Sequence, residues 1–332
     1  MATPTREQIR EKATEIFMQE QHRHGIGTNL PELCELREEG YLETAKTELM
    51  SNQYEKQWRN YSEQTGFSFD TTEAMTTTTF ISGSRGTGKS DTAMYAVDRL
   101  KNEGIVCVGF DSSLDWIRRS SISRYVTVQP YSIIEVPTES TIFDISLLSP
   151  LEQQRTVESF CKKLFEFQLN NNKRYYLIFE ESQLYFPLNS IRAKRFQNSA
   201  RVLTVGRNVR ISLCAISQFP ALIDKELIKN AQQIYIGCTA EPNTLNYWRG
   251  ILGKKQTKKL KTLQNGQFLY YCRNKIDQIQ VQPYENSTTK KQITVTESEP
   301  IEPLPKTQAN YASLKTAVVG FLGLIILWSM IH

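Results

Sequence analysis

Residues 83–90 read Gly-Ser-Arg-Gly-Thr-Gly-Lys-Ser, a complete G-x-x-x-x-G-K-[ST] phosphate-binding loop. An apolar, β-branched run over residues 76–82 precedes the loop, and a helical pattern follows it. Small residues let the backbone curl so that successive N–H groups point at phosphates, and the helix begins with the positive end of its dipole on the anion. The motif predicts a site for a nucleoside triphosphate, taken here as ATP; the alternative is a glycine-rich turn that matches by accident.

Every residue of this loop is a candidate nucleotide ligand, and two of them have a specific task. The Lys89 ammonium reaches the β- and γ-phosphates, so Lys89 is also a candidate catalytic residue, and the Ser90 hydroxyl ligates Mg²⁺. The candidate nucleotide-binding residues are Gly83, Ser84, Arg85, Gly86, Thr87, Gly88, Lys89 and Ser90.

A second motif is the apolar run 175–179, Tyr-Tyr-Leu-Ile-Phe, which ends in the acids Glu180 and Glu181. In ATPases that have this loop, we expect such a strand to lie beside the loop, with one acid on the Mg²⁺ hydration shell and the next polarising the attacking water. We assign Glu180 to Mg²⁺, although Asp is usual there, and Glu181 to the water. The alternative is a strand that ends in solvated glutamates at a turn.

A third element is the run 211–218, Ile-Ser-Leu-Cys-Ala-Ile-Ser-Gln, which ends in a polar amide. Gln218 can reach the γ-phosphate or the attacking water and report hydrolysis to the rest of the subunit. Taken alone, a glutamine at a strand end is usually a loop residue. Its order after the other two motifs makes it a candidate catalytic residue.

Together, residues 83–90, 177–187 and 205–220 resemble the HerA/FtsK superfamily of DNA-pumping ATPases. The stretch 217–231 is similar to both the viral genome-packaging branch and the Zot-like branch, which serves filamentous phage assembly. The resemblance covers roughly residues 76–275. Its most specific part is a Gly-Arg pair that ends at Arg207, followed ten residues later by Ser-Gln-x-Pro.

The resemblance implies a RecA-like domain assembled as a homo-oligomeric ring, taken as a hexamer, with ATP at the subunit interfaces and DNA through the centre. It also implies capsid or portal-type partners. An arginine from a neighbouring subunit would stabilise the transition-state charge. Arg207 is the first candidate for that catalytic role and Arg249 the second; for either one, a surface or DNA-facing arginine is the alternative.

Short apolar runs alternate with helical stretches, a pattern that predicts an α/β fold with a mostly parallel central sheet. The expected organisation is a small helical region over residues 1–65, a P-loop ATPase domain over 66–282, a flexible linker over 283–311 and a transmembrane helix over 312–332. The candidate strands are residues 78–82, 105–110, 140–145, 174–180, 211–217, 234–238, 267–272 and 278–281.

The C-terminal end differs in composition from the rest of the chain. Residues 316–331 carry no charge, and a count from residue 312, with Lys315 reaching toward the headgroups, brings the segment to the length of a membrane span. The alternative is a terminal helix buried against the core. Because residues 1–20 lack a signal peptide, we expect a single-pass C-terminal anchor that leaves the ATPase domain in the cytosol, or inside a virion membrane.

The formal net charge of +5 is modest, so a nucleic-acid role must rest on local clusters. Such clusters could follow DNA phosphates without sequence preference, could be solvated helix faces, or, for the lysines, could meet anionic lipid. Six separated cysteines without a C-x-x-C pair indicate reduced thiols rather than disulfides or a zinc site. The clusters are Arg192, Lys194, Arg195, Arg201, Arg207 and Arg210, and Lys254, Lys255, Lys258, Lys259 and Lys261.

Three functional hypotheses follow. The first is a membrane-tethered, ATP-driven DNA translocase that packages a viral or mobile-element genome. The second is a Zot-like virion assembly or export ATPase that acts at the membrane without gripping DNA. The third is a nucleotide-dependent membrane switch, which would not require the full set of hydrolytic residues.

Overall fold

A computed structural model describes residues 69–130, 132–189, 196–273, 275–284 and 292–295, together with scattered positions between 5 and 67. Every described position between residues 8 and 61 is helical. The boundaries of the predicted domains stay predictions.

The described strands form one ten-stranded sheet in the order β10-β3-β4-β2-β5-β6-β1-β7-β8-β9. From β10 to β7 all neighbours are parallel, and β8 and β9 continue the sheet in antiparallel pairing. The predicted α/β class with a mostly parallel sheet is therefore confirmed. The strands are β1 Thr78–Ser82, β2 Val106–Asp111, β3 Arg124–Thr127, β4 Thr141–Asp144, β5 Tyr175–Phe179, β6 Ile211–Ser217, β7 Ala231–Gly237, β8 Gln267–Cys272, β9 Lys275–Gln280 and β10 Gln292–Val295.

Seven described helices are α1 Thr71–Thr76, α2 Lys89–Asn102, α3 Asp115–Arg119, α4 Pro150–Gln168, α5 Gln197–Val205, α6 Lys225–Lys229 and α7 Pro242–Leu260. Short 3₁₀ helices span Ser182–Leu184, Gly206–Val209 and Pro220–Leu222. Helix α4 begins with a capping box between Ser149 and Glu152, which satisfies backbone N–H groups that have no partner within the helix. Helix α7 is interrupted at Gly253, whose φ of 76° is not helical.

Both faces of the central strands are covered, because every residue of β1, β2, β4, β5 and β6 is buried. Phe80 and Phe179 belong to an apolar cluster that includes residues of α4 and α7. Ile81 and Ile178 point to the opposite face and belong to a cluster with residues of α2. Continuous apolar runs are typical of parallel strands buried on both sides.

Two features of the sheet were not predicted from the sequence. The first is the strand order: β6 lies between β1 and β5, the strand that leads into Glu180, and pairs with both. The sequence also missed β3 and β10, and β10 lies within the range 283–311 that was predicted as a linker.

The membrane prediction is corrected. The predicted transmembrane helix over residues 312–332 lies outside the described residues, and within the described part of the chain no helix is long and apolar enough to cross a membrane. The longest described helices, α4 and α7, have 19 residues each but carry several charged side chains, whereas a span needs about 20 predominantly apolar residues. The fold class is therefore given without a transmembrane helix, and the membrane localisation is withdrawn.

Candidate active site

The three sequence motifs meet at the carboxyl edge of the parallel sheet. The phosphate-binding loop follows β1, the acid pair follows β5, and Gln218 follows β6, which lies between them. Parallel strands present their carboxyl ends on the same side, and ligands of open α/β sheets bind in the crevice outside those ends. The strand order therefore brings together groups that are far apart in the sequence.

The phosphate-binding loop is held by its own atoms and by the end of the sheet. The Ser84 N–H donates to the carbonyl oxygen of Cys238 at 2.8 Å, and the Gly266 N–H donates to the carbonyl oxygen of Thr87 at 3.1 Å. Across the loop, Lys89 Nζ donates to the Ser84 carbonyl oxygen at 2.9 Å. Burial lowers the pKa of the Lys89 ammonium, while nearby Glu181 opposes the shift. These contacts keep the loop curled around the position of the lysine.

Two glycines of the loop are required by geometry. Gly88 has a φ of 90°, a left-handed conformation that glycine adopts without strain, and α2 begins at the next residue. A Cβ atom on Gly83 would lie 2.6 Å from Thr87 Oγ1 and 3.2 Å from the Cα of Gly237. The motif therefore places glycine where the backbone turns and where it approaches β7.

Ser90 and Glu180 are in direct contact. The Ser90 hydroxyl donates to Glu180 Oε1 at 2.9 Å, and Ser113 Oγ lies 3.4 Å from Glu180 Oε2. Burial, reinforced by the Asp111 carboxylate, raises the pKa of Glu180 to about 7. A cation at this position would relieve the cost of burying the carboxylate.

Glu181 has its carboxylate held by two amides. Its backbone is left-handed, with a φ of 46°, so the chain turns sharply after β5. Gln218 Nε2 donates to Glu181 Oε1 at 3.0 Å, and Gln183 Nε2 donates to Oε2 at 2.6 Å. The structure thus brings the predicted pair of Glu181 and Gln218 into contact.

The donor set fits the predicted ligands. A hydroxyl and a carboxylate oxygen in contact, as in Ser90 and Glu180, are the hard oxygen ligands that Mg²⁺ prefers. The loop that ends at Lys89 opens α2, so the positive end of the helix dipole lies at the predicted phosphate position.

Sequence reasoning missed four polar residues near the site. Asp111 ends β2 as Glu180 follows β5, and its carboxylate accepts hydrogen bonds from the N–H groups of Ser113 and Trp116 and from the Tyr125 hydroxyl. Its position at the end of an apolar run was a signal that could have found it. The missed residues are Asp111, Ser113, Gln183 and Ser217.

Arg207 is not at this edge. It lies on the 3₁₀ helix Gly206–Val209 that precedes β6, whereas Gln218 follows β6. A seven-residue strand is roughly 20 Å long, so Arg207 lies that far from the candidate site of its own chain. Both Arg207 and the second candidate, Arg249 on α7, are exposed.

The basic clusters are partly described. Arg192, Lys194 and Arg195 lie outside the described residues, and Arg201 stacks over the Phe165 ring with its guanidinium carbon 3.7 Å from the ring centroid. The lysines of the second cluster, residues 254–261, are exposed around the end of α7. At this end the Leu260 carbonyl oxygen accepts a hydrogen bond from the N–H of Thr239. Because Thr239 lies just beyond β7, the second cluster is at the carboxyl edge.

No protein-family model and no functionally curated protein matches this sequence. Among solved structures, the genome packaging NTPase B204 of Sulfolobus turreted icosahedral virus 2 is 19% identical, covering 64% of this chain and 99% of that chain, with a TM-score of 0.48. VirB4 of Thermoanaerobacter pseudethanolicus is 12% identical, covering 61% and 88%, with a TM-score of 0.47. The bacterial conjugative coupling protein TrwBdeltaN70 is 11% identical, covering 66% and 88%, with a TM-score of 0.50.

The likeness to TrwB concerns the fold. It extends over 66% of this chain and, at 11% identity, shows a similar overall fold and nothing more. The likeness agrees with the predicted α/β fold.

Proposed function

We propose that the chain is an ATP hydrolase and an ATP-driven motor that translocates DNA, with the packaging of a viral or mobile-element genome as its role. The observation that carries this proposal is the contact pair at the carboxyl edge: Ser90 with Glu180, and Glu181 with Gln218. A nucleotide-binding turn alone would not need a second acid held by a glutamine at the end of the neighbouring strand. The proposed motor domain is residues 66–282.

The proposed division of labour follows from the contacts. Backbone N–H groups of the loop and the Lys89 ammonium bind the phosphates, and the Ser90 hydroxyl and Glu180 hold Mg²⁺, which neutralises charge on the phosphates when bound. Glu181 orients and polarises the attacking water. Gln218, hydrogen-bonded to Glu181, links the water position to β6.

A trans arginine is part of the proposal. Arg207 cannot reach the site of its own chain, because the full length of β6 separates it from Gln218. Head-to-tail assembly of copies would bring the amino edge of one subunit to the carboxyl edge of the next, where an arginine can stabilise transition-state charge. The proposed form of that assembly is a closed ring, taken as a hexamer.

DNA is the proposed substrate. The resemblance of residues 205–231 to DNA-pumping ATPases and the exposed lysines at the end of α7 support it. Contacts of lysine with phosphate carry no base information, so the expected binding is independent of sequence and weakens as salt rises. Capsid or portal-type proteins are the expected assembly partners of such a motor.

The deciding experiment is steady-state ATPase activity of the full chain, with and without single- and double-stranded DNA, across a salt series. Stimulation by DNA that fades as salt rises supports the motor. Hydrolysis that is indifferent to DNA would contradict it and favour an assembly ATPase. No hydrolysis at concentrations that form rings would favour a nucleotide switch.

A further inference from the structure

Gln183 has a fixed backbone position next to the acid pair. It lies in the middle of the 3₁₀ helix Ser182–Leu184, directly after the turn made by Glu181. The two side chains that follow this helix, Tyr185 and Phe186, are buried and pack on the Phe179 ring with centroid distances of 5.6 and 5.2 Å. The short helix therefore holds Gln183 in place before any ligand binds.

The side chain of Gln183 bridges two strand ends. Its Nε2 donates to Glu181 Oε2 at 2.6 Å, and its Oε1 accepts from Ser217 Oγ at 2.8 Å. Ser217 Oγ in turn accepts from the Phe219 N–H at 3.0 Å, so the serine hydroxyl has one fixed orientation. Since an amide has its donor at one end and its acceptor at the other, Ser217 determines that the donor end faces Glu181.

The other oxygen of Glu181 depends on the same turn. Gln218, which donates to Oε1, is the residue after Ser217, so the turn over residues 217–219 controls one oxygen directly and the other through Gln183. A carboxylate held at both oxygens has one orientation rather than several. A general base that is already oriented before the reaction loses no conformational entropy on reaching the transition state.

We propose that Gln183 is a positioning residue that fixes the carboxylate of Glu181 and couples it to the turn at residues 217–219. Gln183 has this role only if Glu181 polarises the attacking water, as proposed above. Its side-chain hydrogen bonds are made to Glu181 and Ser217, so it acts through Glu181. Loss of the bridge should therefore reduce kcat and leave the KM for ATP unchanged.

The first test compares the full chain with Gln183→Met, which fills a similar volume without either hydrogen bond. We expect kcat to fall about tenfold, because a misplaced base loses rate steeply with distance, while KM stays within about twofold. Gln129→Ala removes an exposed glutamine outside the site and should leave kcat unchanged. The thermal unfolding midpoint checks that Gln183→Met folds.

Gln183→Glu supplies a second, independent readout. It keeps an acceptor for Ser217 but sets a second carboxylate against Glu181, so the two charges repel and share a proton more readily. We expect a larger loss of kcat at pH 8 than for Gln183→Met, with partial recovery toward pH 6. Destabilisation alone would give no such recovery.

A double-mutant comparison tests the bridge itself. Ser217→Ala should lower kcat about threefold, the effect of one hydrogen bond, and adding it to Gln183→Met should cost nothing further. Unchanged kcat in Gln183→Met, or fully additive losses, would overturn the proposal. Glu181→Gln distinguishes a failure of the Gln183 proposal from a failure of the proposed function. If Glu181→Gln hydrolyses ATP normally, the assignment of Glu181 is itself wrong.

Discussion

The two edges of the parallel sheet differ in how their candidate catalytic residues are arranged within one chain. At the carboxyl edge, the candidate catalytic side chains are bonded to each other, as in the contacts of Ser90 with Glu180 and of Glu181 with Gln218. At the amino edge, Arg207 is exposed beside a cavity of about 160 Å³ that is also lined by Lys229 and by threonine and serine side chains.

This difference is the basis of the proposed division of work between copies. The carboxyl edge holds Glu180, Glu181 and Lys89, whereas Arg207 lies at the opposite edge. The amino edge exposes the cations Arg207 and Lys229. In the proposed motor, which hydrolyses ATP between subunits, Arg207 of one copy would meet the acids of the next.

The largest expected effect is on the carboxyl edge alone. Lys89→Ala should abolish both nucleotide binding and turnover, lowering kcat/KM on the order of 1000-fold, because the Lys89 ammonium lies across the loop where the phosphates are expected. Binding of a fluorescent ATP analogue and steady-state ATPase activity measure the two losses. Lys162→Ala, an exposed lysine on α4, is the matched control. If Lys89→Ala binds the ATP analogue with the affinity of the wild type, the proposed role of Lys89 is contradicted.

Glu181→Gln should separate binding from hydrolysis at the same edge. The amide keeps the size of the side chain but cannot accept a proton from water, so we expect normal nucleotide affinity and a loss of kcat on the order of 100-fold or more. Single-turnover hydrolysis at saturating ATP measures the loss. If the variant loses affinity instead, Glu181 belongs with the ligands of the nucleotide.

The amino edge is tested by Arg207→Ala. Loss of a charge-stabilising arginine should lower kcat on the order of 100-fold without weakening nucleotide binding. Because Arg207 is expected to act on a neighbour, mixing this variant with Lys89→Ala should restore part of the activity at mixed interfaces. Arg201→Ala, which removes the arginine stacked on Phe165, is the control. No recovery on mixing would contradict the proposed action of Arg207 on a neighbouring subunit.

The three strand ends were predictable from the sequence because each is an apolar run that ends in a residue with clear chemistry. The order of the strands was not predictable, since the runs at 175–179 and 211–217 are both largely apolar and nothing in their periodicity says which of them pairs with β1. The strand β3 has four residues, too few for a clear pattern, and β10 lies in a polar stretch.

The contacts of the site were also beyond the sequence. Gln183 was visible in the motif after β5, but its partner Ser217 is 34 residues away and meets it only because β6 inserts beside β5. Asp111 likewise gains its importance from the position of β2 next to β5. Residue types indicate the chemistry, whereas the strand order decides which groups touch.

A smaller effect concerns the unfolding free energy of the protein, measured in EDTA so that no divalent cation is bound beside Glu180. The pKa of Glu180 rises from 4.5 to about 7 on folding, so the folded state binds more protons in that window. The resulting stabilisation is complete below about pH 4.5 and is lost as pH rises through about 7. Glu180→Gln should therefore be more stable than wild type at pH 8, on the order of 2 kcal/mol, and nearly equal at pH 5.

Urea unfolding at the two pH values measures this difference for Glu180→Gln. Glu166→Gln, at an exposed position on α4, should give the same small change in unfolding free energy at both. If Glu180→Gln is more stable than wild type by the same amount at both pH values, burial does not disfavour the ionised form of the Glu180 carboxyl group.

The smallest effect tests whether DNA meets the carboxyl edge. Replacing Lys258 and Lys259 with glutamine removes two exposed charges near Thr239, so the slope of log affinity against log salt should fall by about 1 to 2. Half-maximal DNA stimulation of the ATPase measures it, with Lys162→Gln as the control. An unchanged slope would mean that these lysines form a solvated helix face. In that case the carboxyl edge would hold the nucleotide alone, and the path of DNA would have to be sought elsewhere in the ring.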